Sequence, residues 1–140
     1  MKVVLDTNVL VSGTFWKGDS EKIIDKVENK EVELILSKEL IEEYEEVINR
    51  EEIMDKTQNK DLILNESVQK IINDSTIVGP TKKFDAVKED SKDNKVVECA
   101  VEGNVDYIIS QDNHLLNLKE FNGIKILTPE EFLGVLYTPK

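Results

Sequence analysis

Cysteine is nearly absent: Cys99 is the only one in 140 residues, which excludes an internal disulfide and any cysteine-based zinc site. Histidine is as scarce, with His114 alone, and Arg50 is the only arginine. Six glycines and three prolines are too few for a collagen-like or low-complexity chain. No apolar run exceeds three residues, and the first, Val3-Val4-Leu5, is cut by Asp6. That excludes a membrane-spanning helix and the apolar core of a secretion signal. These absences together describe a reduced, cytoplasmic protein with no membrane partner.

What the chain has in quantity is acid. Asp and Glu number 29 against 18 Lys and Arg, a formal net charge of −11. Such a balance argues against broad adhesion to nucleic acid, while a local basic segment or bound cations would still admit a polyanion. With 39% apolar residues, the length suits one domain over 1–140, whose core needs neither disulfide nor metal.

Short β-branched runs alternate with helical patterns. Val3–Leu5, Val32–Leu36, Thr76–Val78, Val105–Ile109 and Ile124–Leu127 read as strands. Between them, apolar residues recur at helical spacing: Ile23, Ile24 and Val27; Leu40, Tyr44, Val47 and Ile48; Leu64, Val68, Ile71 and Ile72; Val96, Val97 and Ala100. The last helix carries its own start signal, since Thr128-Pro129-Glu130-Glu131 supplies an N-cap, a first-turn proline and a capping-box glutamate. Residues 81–92 read as a charged connection without secondary structure. The alternation predicts a three-layer α/β/α fold with a mostly parallel sheet, whose ligands bind beyond the carboxyl ends of the strands.

Acids stand at those ends. Asp6 follows the first strand in Asp6-Thr7-Asn8, and Asp112 follows the fourth in Ser110-Gln111-Asp112. Each is also a natural helix N-cap, and the two readings stay open for both. Asp93 lies three, four and seven residues before Val96, Val97 and Ala100, on the buried stripe of its helix. A carboxylate there is costly unless it is paired, capped or bound to a metal. The helical wheel does not choose between Glu43 and Glu45, which flank the stripe of Leu40, Tyr44, Val47 and Ile48 about equally. Cys99 reads as a small buried hydrophobe, Phe15 and Trp16 as packing or dimer-contact residues of a loop, and His114 as a surface or early helix residue near the fourth-strand acid.

The segments Val3 to Ser12, Ser37 to Tyr44, Asp93 to Ala100 and Asp106 to Leu116, in this order and spacing, resemble the PIN-domain nucleases, including the VapC-type toxins of toxin-antitoxin pairs. The resemblance implies a five-stranded sheet of order 3-2-1-4-5. It implies a catalytic and metal-binding set of Asp6, Glu43, Asp93 and Asp112, with Thr7, Asn8 and Ser110 as supporting polar residues. One or two Mg²⁺ or Mn²⁺ ions suit such oxygen donors. The implied reaction is hydrolysis of single-stranded RNA, and the implied partners are a small antitoxin and a second copy of the chain. Lys83, Lys88 and Lys95, in the one concentrated basic segment, are the candidate substrate contacts. Two alternatives stand beside this reading. A haloacid-dehalogenase-like phosphohydrolase also places an Asp after its first strand, but wants a second Asp where this chain has Asn8. A non-catalytic PIN-like module would keep the fold only to bind a partner.

Overall fold

A computed structural model describes residues 1–50, 61–84, 86 and 91–137 and, of residues 61–65, 91 and 92, the backbone alone. The elements run β1 (Lys2–Leu5), α1 (Thr7–Phe15), α2 (Asp19–Glu28), β2 (Glu33–Ser37), α3 (Lys38–Ile48), α4 (Asp61–Asp74), β3 (Thr76–Val78), α5 (Ser91–Glu102), β4 (Tyr107–Ile109), α6 (Asn113–Leu116), β5 (Glu120–Phe121), β6 (Ile124–Leu127) and α7 (Pro129–Tyr137). Among these residues, no helix is long and apolar enough to cross a membrane.

Among the described residues the sheet has six strands in the order β3-β2-β1-β4-β6-β5, not the five expected. The five anticipated strands keep the anticipated order and are all parallel. The sixth is the two-residue β5, antiparallel to β6 at the sheet edge. Its turn is Asn122-Gly123, with φ of 51° and 83°, the paired positive values of a tight hairpin turn. An Asn-Gly pair between Phe121 and Ile124 was thus the local signal for this strand, and its brevity hid it.

Two strands begin later than the β-branched runs suggest. Val32 donates its N–H back to Lys26 and Val105 to Ala100, closing the preceding helices. The ladders start only when Glu33 donates to Met1 and Asp106 to Lys2. Both valines are nonetheless buried, so their hydrophobicity serves the core and not the sheet. At the other end β2 runs on to Ser37, whose hydroxyl then accepts from Leu40 N–H at 3.3 Å and caps α3.

The helices bury the stripes expected of them. Leu40, Tyr44 and Ile48 are buried on α3, Val68 and Ile71 on α4, and Val96, Val97 and Ala100 on α5; the side chain of Leu64 lies outside the described residues. At α7 the capping box is complete, with Thr128 N–H donating to Glu131 Oε1 at 2.9 Å and Glu131 N–H to Thr128 Oγ1 at 3.1 Å. Phe15 belongs to α1 and not to a loop, packing partly buried on the core, edge-on to Trp16 at 5.9 Å. The stretch after β3 is strapped to α5. Glu102 accepts from Thr81 N–H and Oγ1, and Glu98 from Phe84 N–H at 3.0 Å.

Two contacts set the helices that flank the sheet's switch point. At Gly13, a Cβ would lie 2.6 Å from Ile24 Cγ1 and 2.9 Å from the Ser20 carbonyl oxygen, so α1 and α2 touch nearly backbone to backbone. Tyr44, fully buried on α3, meets Thr14 Oγ1 of α1 at 2.6 Å. Thr14 already donates its only hydroxyl hydrogen to the Leu10 carbonyl at 2.6 Å, so Tyr44 is the donor. Burial pushes the Tyr44 phenol up to about 12, and it stays protonated in that role.

Gly13→Ala is expected to destabilise the protein by about 1–3 kcal/mol through overpacking. Helix propensity alone would give the opposite sign, a gain of about 1 kcal/mol. Urea denaturation decides: an unchanged or raised midpoint would show that α2 withdraws from α1 without cost.

Candidate active site

The register of β1 against β4 builds the centre of the site. Leu5 lies opposite Ile109, and Asp6 N–H continues the ladder by donating to the Ile109 carbonyl at 3.1 Å. Asp6 and Ser110, the next residues on each strand, therefore meet although 104 positions separate them. Both are buried, Asp6 to 5% exposure and Ser110 fully. The Ser110 hydroxyl donates to Asp6 Oδ2 through a short hydrogen bond and accepts from Asp112 N–H at 2.9 Å. One serine thus links the two strand-end acids.

Both acids also cap helices. Asp6 Oδ1 accepts from Val9 N–H at 3.1 Å, and Asp112 Oδ1 from His114 N–H at 2.7 Å. The N-cap reading and the acid-cluster reading are therefore both realised in the same side chains. The remaining acids come from two other helices. Asp93, in the first turn of α5, is buried as its stripe requires. On α3 the structure separates the two glutamates, with Glu43 half-buried and Glu45 exposed. Asp6, Glu43, Asp93 and Asp112, with Thr7 and Asn8, line one cavity of about 30 Å³. Thr7 Oγ1 beside them is buried without a hydrogen-bond partner among the described residues.

This gathering of acid strains the charge balance. Burial raises the Asp6 carboxyl above its usual range; the hydrogen bonds from Ser110 and Val9 pull it down, and the nearby Asp112 and Glu43 charges push it up again. A cation is the natural remedy. Asp93, Asp112 and His114 each offer a ligand atom within 4.8 Å of the others. His114 Nδ1 lies 3.7 Å from Asp112 Oδ1. The sequence reading set His114 near the fourth-strand acid without naming it a ligand; its position two residues after Asp112, in the first turn of α6, was the available signal. The donor set is dominated by hard oxygens, which suit Mg²⁺ or Mn²⁺. A space of about 30 Å³ takes an ion with little water and excludes a nucleotide. The residues fit the metal that the sequence implies.

Of the candidate substrate lysines, the two described ones do not line this cavity. Lys83 is exposed and pairs with the buried Glu98 at 3.6 Å, and Lys95 is exposed on α5. Lys88 lies outside the described residues. Cys99 is fully buried, with its thiol pushed up to about 12 mainly by burial, which makes it a core residue and not a nucleophile.

Among known proteins, the family profile described as PIN domain matches residues 2–114, a span that contains all four acids. Among solved structures, the crystal structure of PAE2754 from Pyrobaculum aerophilum is similar, with a TM-score of 0.62 at 12% identity over 99% of this chain and 91% of that one. At that identity the likeness speaks to the fold alone. No curated protein matches the sequence significantly.

The charge balance predicts how stability responds to pH and metal. A carboxyl whose pKa is higher folded than unfolded binds its proton more tightly in the native state. Its contribution is therefore lost as pH rises from the ordinary Asp value, 3.8, through the raised native one. Asp6→Asn removes that loss, and its amide still accepts from Val9 and faces the Ser110 oxygen. In chelator at neutral pH the variant should melt at or above the wild type, the two converging toward acid pH. Mn²⁺ should raise the wild-type melting temperature, by about 2.7 kcal/mol of linkage at 100 times Kd, and the variant's far less. A variant melting well below wild type in chelator, with no metal response in either protein, would make Asp6 a purely structural cap.

Proposed function

Because the chain belongs to the PIN-domain family, whose members are typically Mg²⁺-dependent nucleases, we propose that it is an endoribonuclease that hydrolyses phosphodiester bonds of single-stranded RNA. The observation that carries the reading is the convergence of Asp6, Glu43, Asp93 and Asp112, from four separate segments, on one small cavity. A fold kept only for binding has no need to crowd buried carboxylates, because each costs stability. The family also sets aside the haloacid-dehalogenase alternative, already disfavoured by Asn8.

Asp6, Asp93 and Asp112 would hold the metal, with Glu43 available to a second ion. One or two Mg²⁺ or Mn²⁺ ions, when bound, supply Lewis-acid activation of the attacking water and neutralise charge developing on the departing oxygen. The protein's own part is positional. Ser110 holds the Asp6 carboxylate by its hydroxyl while its oxygen fixes the Asp112 backbone, so two ligands keep one geometry. Glu43, set by the Tyr44–Thr14 contact next to it in the chain, accepts a hydrogen bond from the attacking water and directs it. Thr7 and Asn8 offer a hydroxyl and an amide at the same rim.

The same proposal extends to biology as the toxin of a toxin-antitoxin pair acting in the cytoplasm. A small antitoxin would insert a lysine or arginine among the carboxylates, standing in for the cation they require, and the enzyme would act as a homodimer. Lys83, Lys88 and Lys95 would guide RNA along a surface that is otherwise acidic.

Purified protein should cleave single-stranded RNA in Mn²⁺ or Mg²⁺ and not in chelator. Asp6→Asn and Asp93→Asn should each lower the rate by about 100-fold or more, and Ser110→Ala, which removes only the orienting hydroxyl, by about 10- to 100-fold. Cleavage that survives chelation, or that is unchanged in both aspartate variants, would defeat the metallonuclease reading. Absence of any cleavage with metal bound would favour the binding module.

Neutralising the three lysines together should weaken RNA binding and flatten its dependence on salt, the slope falling by about 0.7 for each single-strand phosphate that a lysine ceases to neutralise. A filter-binding series in salt measures this. An unchanged slope would remove these lysines from the RNA path.

A further inference from the structure

We propose that the larger cavity beside the acid cluster is a nucleobase pocket that reads a base flanking the scissile phosphodiester, an inference that rests on the nuclease reading above. The acid cavity, at about 30 Å³, has room for an ion and not for a nucleotide. A cavity of about 450 Å³ opens alongside it, within the range of small-molecule sites. The two are neighbours by construction. On α1, Asn8 lines the first and Ser12 the second, one helical turn or about 6 Å further along the same face. After β4, Asp112 lines the first and Gln111, the residue before it, the second.

The lining chemistry selects a base over a phosphate. Among the described residues, Lys17 is the one cation in the wall, and Asp19 and Glu130 stand against it, so the pocket is not positive overall and a phosphate gains little there. Neutral hydrogen-bonding groups remain, the Gln111 amide and the Ser12 and Ser20 hydroxyls, set against the apolar surfaces of Leu116 and Pro129. A carboxamide presents a donor and an acceptor side by side, the pairing that a base edge offers in return. The apolar atoms of Leu116 and Pro129 can pack against the ring. Ser20, 4% exposed, lines the pocket, and its carbonyl oxygen lies 2.9 Å from where a Cβ on Gly13 would stand. The fixed spacing between the two cavities then registers the strand, so that the base held in the larger one selects which phosphodiester lies over the carboxylates.

The test is a titration of the wild-type protein with adenosine, guanosine, cytidine and uridine, followed by backbone amide resonances, together with sequencing of the ends left in a mixed-sequence RNA. One nucleoside should shift Ser12, Lys17 and Gln111 more than the other three do. Gln111→Ala should weaken that binding by about tenfold, as removal of a paired base interaction does. The base preference beside the cut should flatten in the same variant, whatever its overall rate. Should Gln111→Ala not fold, Ser12→Ala is read in the same way. No shift at these residues with any nucleoside, unaltered binding in the variant, or a response to inorganic phosphate alone would each overturn the pocket. The nuclease reading fails separately: if no RNA is cut while a nucleoside still shifts the pocket, the base site stands and the catalytic reading falls. If RNA is cut in a manner dependent on Asp6 while nucleosides leave the pocket unmoved, only the pocket falls.

Discussion

The parallel pairing of β1 with β4 is the constraint on which the site depends. Once Leu5 stands opposite Ile109, the next residue on each strand leaves the sheet at the same level, and an aspartate and a serine are forced together in the interior. A buried carboxylate without hydrogen bonds is expensive. Here it receives the Ser110 hydroxyl on one oxygen and the Val9 amide on the other. A shift of register by one residue would turn Asp6 away from Ser110. The sheet therefore aligns the site, and the site's hydrogen bonds in turn specify the register.

Economy of roles follows from that position. The strand-end acids terminate strands, cap helices and face the cavity at once, because the N–H groups of a helix's first turn and a bound cation both attract carboxylate oxygen. The same doubling occurs at Ser37, a β2 residue whose hydroxyl opens α3. With strand and helix joined by a single residue, α3 has little freedom to slide. The Tyr44–Thr14 contact then fixes its rotation, which aims Glu43 inward and leaves Glu45 outside.

The charge of −11 and the carboxylate cluster belong to one electrostatic design. On the proposed function, a polyanion approaching this chain would gain little from long-range attraction, so its binding would rest on cations held in the cluster, on a few lysines and on neutral contacts to bases. The two adjacent cavities would divide that labour: the small one is lined by acids, the larger one is mixed in charge and lined by amide and hydroxyl groups. Between them runs α1, held against α2 at Gly13, so the distance from one to the other is a property of the backbone.

Local pattern determined much of this protein. Helical periodicity marked the stripes of α3, α4 and α5 and with them the burial of Asp93. β-branched runs marked five strands, and the Thr128 to Glu131 cap marked the start of α7, because each of these depends on residues a few positions apart. The edge strand β5 escaped because two residues are too short to show alternation, although Asn122-Gly123 declared its turn. The family resemblance pointed to Asp6, Glu43, Asp93 and Asp112 as a set, but local pattern could not choose Glu43 over Glu45, and the bridging of Asp6 and Asp112 by Ser110 was decided by tertiary structure alone. Wheel geometry treats the two glutamates as equivalent until a neighbouring helix covers one side. No pattern local to residue 6 or to residue 110 states that the two will touch; that distance is set by sheet register, which only the packed chain possesses.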